Sequence, residues 1–156
     1  MRHVLFILLF SACVWAGDPD YSGEWKLNST LSSVGRLPEP PAATLIIVQK
    51  GVRIHCTAAG GDDAPASWDY TTDHKEAKYR IGNTSRSSIL KWEGNALLVN
   101  TLVNTRDKSY SVMDRWKISR DGRTLTIRRQ IETLNGEAEA TLVYQKQDGA
   151  ASAGDR

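Results

Sequence analysis

The sequence predicts an all-β fold, an antiparallel up-and-down meander closed into a barrel of about eight to ten strands. Three observations carry this. Ten short segments alternate polar residues with apolar or β-branched ones, the period of two that gives a strand one wet and one dry face. Clusters of Gly, Asn and Asp stand between them, as tight turns require. No stretch keeps a helical period over several turns. A sheet of many short strands avoids exposed edges by closing on itself, and a two-layer sandwich would need longer connections than any found after Thr44.

In chain order the segments are GEWKLN, TLIIVQ, VRIHCTA, ASWDYT, EAKYRI, RSSILKW, ALLVNTLV, SYSVMDRWKI, TLTIRRQIET and AEATLVYQK. The turns between them are built on QKG, AGGDDAP, TDHK, GNTS, EGN, NTRDK, SRDGR and LNGE. Neighbours joined by such turns can pair only antiparallel. One connection is long: residues 29–43 carry Leu31, Val34 and Leu37 and then PEPP. A helical turn is expected near Leu31, after which the prolines impose extended backbone. This segment either covers a barrel mouth as a lid or links two strands around a corner, and the corner is the simpler expectation.

Arg2 and His3, the apolar run at 4–10 and Val14-Trp15-Ala16 read as a secretory signal with a small-residue cleavage site. The product is expected to be exported, periplasmic or secreted. Phe10-Ser11-Ala12-Cys13 resembles a lipobox and offers a second route, lipid anchoring through Cys13, but Phe10 stands where leucine is usual. Cutting after Ala16 leaves 140 of the 156 residues, enough for one core. The expected organisation is a signal at 1–16, one barrel domain at 17–146 and a disordered tail at 147–156, where the sequence has nothing to bury.

Without Arg2 the formal charge falls from +2 to +1, which argues against a nucleic-acid partner. No further apolar run approaches a membrane span, so no transmembrane segment is expected in the mature chain. With Cys13 in the signal, Cys56 stands alone and no disulfide can form within the processed chain. The sequence does not fix the oligomeric state.

Side-chain parity singles out one charged pair. On TLTIRRQI, Arg129 shares a face with Leu125, Ile127 and Ile131; on YSVMDRWKI, Asp114 shares one with Tyr110, Val112, Trp116 and Ile118. With SRDGR as the turn, Asp114 falls opposite Arg129, so an acid meets a base on the core side. Such a pair specifies register, and losing one partner strands the other's charge. An inward Arg can also receive the carboxylate of a ligand, although a neutralised one has less to offer, so the structural role comes first.

Trp68, Tyr70, Tyr79, Trp92, Tyr110, Trp116 and Tyr144 are expected in core or rim, and Ala58, Ala77, Ala138 and Ala140 are small enough to leave a pocket among them. Cys56 shares a face with Val52, Ile54 and Ala58, with no His there to activate it, and reads as an inert hydrophobe. His55 should point outward and His74 lies in a turn, so neither builds a haem or zinc site. No phosphate loop, G-x-S-x-G or H-E-x-x-H occurs. No catalytic residue, metal ligand or cofactor is therefore assigned. Asn28-Ser29-Thr30 and Asn83-Thr84-Ser85 fit glycosylation sequons, relevant in a eukaryotic source.

Gly23-Glu24-Trp25, at the opening of the first strand, resembles the G-x-W signature of lipocalins and calycins. That resemblance implies a tryptophan closing the barrel floor beneath an arginine from a late strand, in a cation–π contact. Arg115 and Arg129 are the candidates, and inward parity selects Arg129. More broadly, YSGEWKLN, SWDYTTDHKEAKYR, LKWEGNALLV, DRWKISRDGRTLTIRRQ and TLVYQKQ resemble a family of small exported bacterial proteins described as lipocalin-like, over nearly all of residues 21–147. The resemblance implies a calycin-type barrel and periplasmic or extracellular placement, and no assigned reaction. The chain lacks a counterpart to the helix that follows the last lipocalin strand. Fatty-acid-binding proteins fit better in strand number, but their helix-turn-helix between the first two strands does not fit the proline-rich 29–43.

The leading functional expectation is binding of a small hydrophobic or amphipathic ligand inside the barrel. Trp25, Trp68, Tyr79 and Trp116 would line the site and Arg129 close its floor; Gly23, Trp25, Asp114 and Arg129 would serve the structure. This requires an internal cavity of about 300 Å³ or more. The alternative is a cell-envelope structural or interaction protein with a filled core, marked by an outward patch of Val99, Val103 and Val143. An enzyme, the third reading, would need Asp114 or Glu24 beside a pocket with a strongly raised pKa.

Overall fold

The computed structural model describes residues 17–60 and 65–148. The expected signal, its cleavage site, Cys13 and most of the expected tail lie outside the described residues. All ten expected segments are strands: β1 Gly23–Leu27, β2 Thr44–Lys50, β3 Arg53–Ala59, β4 Ala66–Thr71, β5 Ala77–Ile81, β6 Thr84–Glu93, β7 Ala96–Asn104, β8 Ser109–Ile118, β9 Thr124–Thr133 and β10 Gly136–Lys146. They form one antiparallel sheet in the order β4-β3-β2-β1-β10-β9-β8-β7-β6-β5. β1 lies between β2 and β10, with Trp25 opposite both Leu45 and Lys146, and joins the first strands to the last.

Consecutive β4 and β5 depart from the expected pairing, because no main-chain ladder joins them. Aromatic side chains occupy this seam instead. Trp68 of β4 stacks on Tyr79 of β5 with ring centroids 5.8 Å apart and planes at 12°, and Tyr70 meets Tyr79 edge-on, also at 5.8 Å. A chain of hydroxyls then laces the seam to the sheet beyond: Tyr70 to Tyr79 at 3.2 Å, Tyr79 to Ser88 at 3.0 Å and Ser88 to Thr101 at 2.7 Å. Ser88 and Thr101 are buried, and this chain gives both hydroxyls the partners that burial demands.

One end of the barrel is packed solid. Tyr21 and Trp25 are fully buried there among Ile47, Leu97 and Leu125. Tyr21 reads in the sequence as part of a polar lead-in, yet it sits at the centre of this floor. Its hydroxyl donates to the Trp116 carbonyl at 2.9 Å, its carbonyl accepts the Trp25 indole N–H at 2.9 Å, and its ring packs against Trp92 and Trp116.

The long connection is a strap across the other end, not a corner. Near Leu31 the expected helical turn is a tight turn held by the Asn28 side chain, which accepts the N–H groups of Thr30 and Leu31. Ser33 then bridges to Thr141 of β10. Gly35, at φ 58°, passes so close to β10 that a Cβ would stand 2.7 Å from the Glu139 carbonyl oxygen. From there residues 38–43 cross the barrel mouth.

Two parity expectations fail. Val99 and Val103 are inward and buried, at 2% and 0% exposure, because they pair directly with Asp114 and Tyr110; the expected outward valine patch does not form. Val52 lies in the β2–β3 turn and is exposed instead of sharing the Cys56 face.

The seam yields a prediction. Tyr79→Phe removes the middle hydroxyl of the chain while keeping the stack on Trp68, and is expected to cost about 1–2 kcal/mol in urea unfolding. Amide exchange should quicken selectively in β4 and β5; a change spread evenly over the sheet would show that other contacts hold the seam.

Candidate functional site

A cavity of about 1000 Å³ occupies the mouth half of the barrel. Inward strand positions build its wall: Trp68 and Tyr70 on β4, Tyr79 on β5, Thr101 on β7, Val112, Asp114 and Trp116 on β8, and Ile127, Arg129 and Ile131 on β9, with residues 38–43 of the strap as cover. All four expected ligand-binding residues, Trp68, Tyr79, Trp116 and Arg129, line it. Trp25 does not, being buried in the floor below. Of the four small residues only Ala58 faces the cavity, while Ala77, Ala138 and Ala140 pack into the core. The volume lies at the upper end of ordinary small-molecule sites, so the barrel is not the filled one that the structural alternative requires.

Asp114 and Arg129 stand opposite one another as parity predicts. Arg129 Nε donates to Asp114 Oδ1 at 2.8 Å and its Nη2 to Oδ2 at 2.7 Å, a two-point planar contact. The side chains are 8% and 26% exposed respectively. Burial alone would make the guanidinium easier to deprotonate, but the Asp114 charge and hydrogen bonds outweigh it and hold Arg129 cationic. Arg129 thus engages both oxygens of Asp114, and Glu24 is exposed.

The resemblance-based expectation for the floor needs a correction. Trp25 does carry a cation over its ring, but the cation is Lys146, with Nζ 5.3 Å from the centroid. β10 pairs with β1 and sets Lys146 opposite Trp25, whereas β9, with Arg129, lies one strand further round. Gly23 makes room for this lysine, since a Cβ there would stand 2.6 Å from Lys146 Cε. Arg115 points away and pairs with Glu93.

A second ion pair, absent from the sequence expectations, spans the mouth. Arg86 of β6 lines the cavity, and its Nη2 donates to Glu39 Oε2 on the strap; the Tyr110 hydroxyl donates to the other oxygen at 3.1 Å. Burial, followed by the Glu39 charge, pushes the Tyr110 phenol up to about 12, so it stays a donor. Two cavity-wall groups lack partners among the described residues: Trp68 Nε1 and Trp116 Nε1 are buried and unbonded, an uncommon state for buried donors.

Elsewhere, Cys56 is fully buried, and burial pushes its thiol up, the opposite of what a nucleophile needs. His55 pairs with Asp69 at 3.1 Å in an exposed position, and His74 sits between β4 and β5 at φ 64°. Among the described residues no group of three His, Cys, Asp or Glu side chains could hold a metal ion, and no helix is long and apolar enough to cross a membrane.

No family model matches the sequence, and no curated protein matches it significantly. Solved structures do match in fold. An ileal bile acid-binding protein of zebrafish, complexed with cholic acid, is 17% identical with a TM-score of 0.60, over 81% of this chain and 98% of that one. A secretory abundant heat soluble protein of Ramazzottius varieornatus is 15% identical with a TM-score of 0.62, over 85% and 98%. Secretory abundant heat soluble protein 4 of the same organism is 15% identical with a TM-score of 0.56, again over 85% and 98%. Identities this low show the fold alone, a calycin-like antiparallel barrel.

Two stability predictions come from the wall and floor. Asp114→Ala is expected to cost about 3–5 kcal/mol, because Arg129 keeps its charge in a site without an anion. Adding Arg129→Met should recover part of that loss, and a double-mutant cycle by denaturant unfolding measures it; additive losses would show that the pair is not coupled. At alkaline pH, burial raises the phenols of Tyr21 and Tyr144 to about 12 and that of Tyr70 as well. The folded state thus favours the neutral phenol, and the unfolded chain ionises first, near pH 10. Stability is complete below pH 10 and falls as pH rises towards 12, by up to about 1.4 kcal/mol per pH unit for each such tyrosine. Urea midpoints should be level from pH 7 to 9 and decline beyond; a level midpoint at pH 11.5 would refute the buried state of these hydroxyls.

Proposed function

We propose that the chain is an exported protein that holds a small hydrophobic or amphipathic molecule inside its barrel. The observation that carries this reading is the cavity of about 1000 Å³ with Trp68, Tyr79 and Trp116 in its wall and Arg129 and Tyr110 as polar points among them. Aromatic walls give a ligand large contact area with little loss of side-chain freedom. The unpartnered indole N–H groups of Trp68 and Trp116 favour a ligand that carries oxygen acceptors as well as apolar surface. The zebrafish neighbour is by name a bile acid-binding protein, which agrees with this reading by analogy of fold. Export rests on the signal-like sequence at 1–16.

Native mass spectrometry after gentle purification tests the proposal directly, together with quenching of tryptophan fluorescence by a panel of fatty acids and by the uncharged probe phenyl-naphthylamine. Bound small-molecule mass and saturable quenching are expected. Val112→Trp places a large ring in the cavity and should weaken probe binding about tenfold or more while leaving the circular dichroism unchanged. A clean apo mass together with no quenching by any probe would overturn the reading.

A further inference from the structure

We propose that Glu39 is a latch that occupies the headgroup position of an acidic ligand, and that an amphipath with one carboxylate or sulfonate group enters by displacing it from Arg86 and Tyr110. This rests on the binding-protein reading and specifies its ligand class.

The two ion pairs of the cavity differ in the way that decides which of them can open. Asp114 and Arg129 both sit on paired strands, with a carboxylate only 8% exposed. Separating them would leave an acid in the core without solvent. Glu39 is 42% exposed and Arg86 only 16%. Its carboxylate can therefore swing back to water at little loss, while Arg86 still needs an anion where it stands.

The backbone behind Glu39 permits that movement. Among the described residues, main-chain hydrogen bonds hold the strap at Ser33 and Ala43, and the Tyr144 hydroxyl reaches the Ala42 carbonyl. Among the described residues no main-chain group between 34 and 41 is hydrogen-bonded; Val34 and Leu37 rest on the core by apolar contact, and the Glu39 carboxylate supplies the polar attachment across the mouth. An incoming acid would find a preformed pair of donors, the Arg86 guanidinium and the Tyr110 hydroxyl, with Thr84 already holding Arg86 Nε at 3.3 Å. Its apolar part would run inward past Val112 to Trp116 and Trp68, all of which line the same cavity.

Two fluorescent probes of similar aromatic body test the latch in the full processed chain: anilinonaphthalene sulfonate, which carries an acid, and phenyl-naphthylamine, which does not. The readout is the ratio of their affinities, with melting by circular dichroism confirming that each variant folds. Because strap and ligand compete for one site, Glu39→Gln should raise the preference for the sulfonate about fivefold or more, and Arg86→Gln should lower it by a similar factor. A ratio unmoved by either substitution overturns the latch even though both probes bind. A ratio that rises with Asp114→Asn but not with Glu39→Gln places the acid at Arg129 and also overturns it. If neither probe enters the wild-type protein, the latch is overturned, and the binding reading falls with it only when the native mass is also clean and no fatty acid quenches.

Discussion

Ten antiparallel strands can enclose a cavity only if each keeps the same face inward, and the Asp114–Arg129 pair is where that constraint is hardest to break. A slip of one residue between β8 and β9 would turn Arg129 outward and bring Arg128 in. It would also expose Ile127 and Ile131 while leaving Asp114 unpaired in the interior. The pair therefore contributes less as a net attraction than as a penalty on every alternative register. Because β8 and β9 each pair with one further neighbour, the choice propagates to β7 and β10, and through β10 to β1.

The same chemistry has a different meaning at the mouth. Glu39 and Arg86 form an ion pair of equally strong components, but one partner rides on a strap without a ladder. An ion pair between two strands fixes geometry, whereas one between a strand and a loosely bonded segment sets a threshold for moving that segment. Burial makes the distinction: the anion buried with β8 has no alternative partner, and the anion on the strap has water.

Much of this was legible in the sequence because period-two alternation and turn residues are local signals. Every strand and the inward pair Asp114–Arg129 followed from them. What escaped is instructive. In ALLVNTLVN both faces carry aliphatic residues, so composition alone could not orient β7; the register to Asp114 could have done so, since Val99 is its direct partner. Lys146 was missed because the expected cation was an arginine, although YQK places a lysine two residues beyond the inward Tyr144. The β4–β5 seam, Tyr21 and the Glu39–Arg86 pair depend on contacts across long stretches of chain, and no local period encodes them.

The strap also marks where fold likeness stops being informative about ligands. Residues 28–43 contain no helix, so the cover of this barrel is a proline-stiffened segment of extended chain. Its three prolines, Pro38, Pro40 and Pro41, have no N–H to offer a neighbouring strand, which prevents the strap from simply extending the sheet and sealing the mouth. Closure must then come from side chains: Val34, Leu37 and Ala42 pack against the core, and the polar contact they leave at the mouth is charged. A barrel closed by apolar packing would discriminate among ligands by shape and size, whereas one closed by a carboxylate on an arginine discriminates by charge at the entrance. That difference lies in a handful of strap residues which a comparison of strand frameworks does not weigh, and it is reason to look for specificity in this chain at its mouth before its interior.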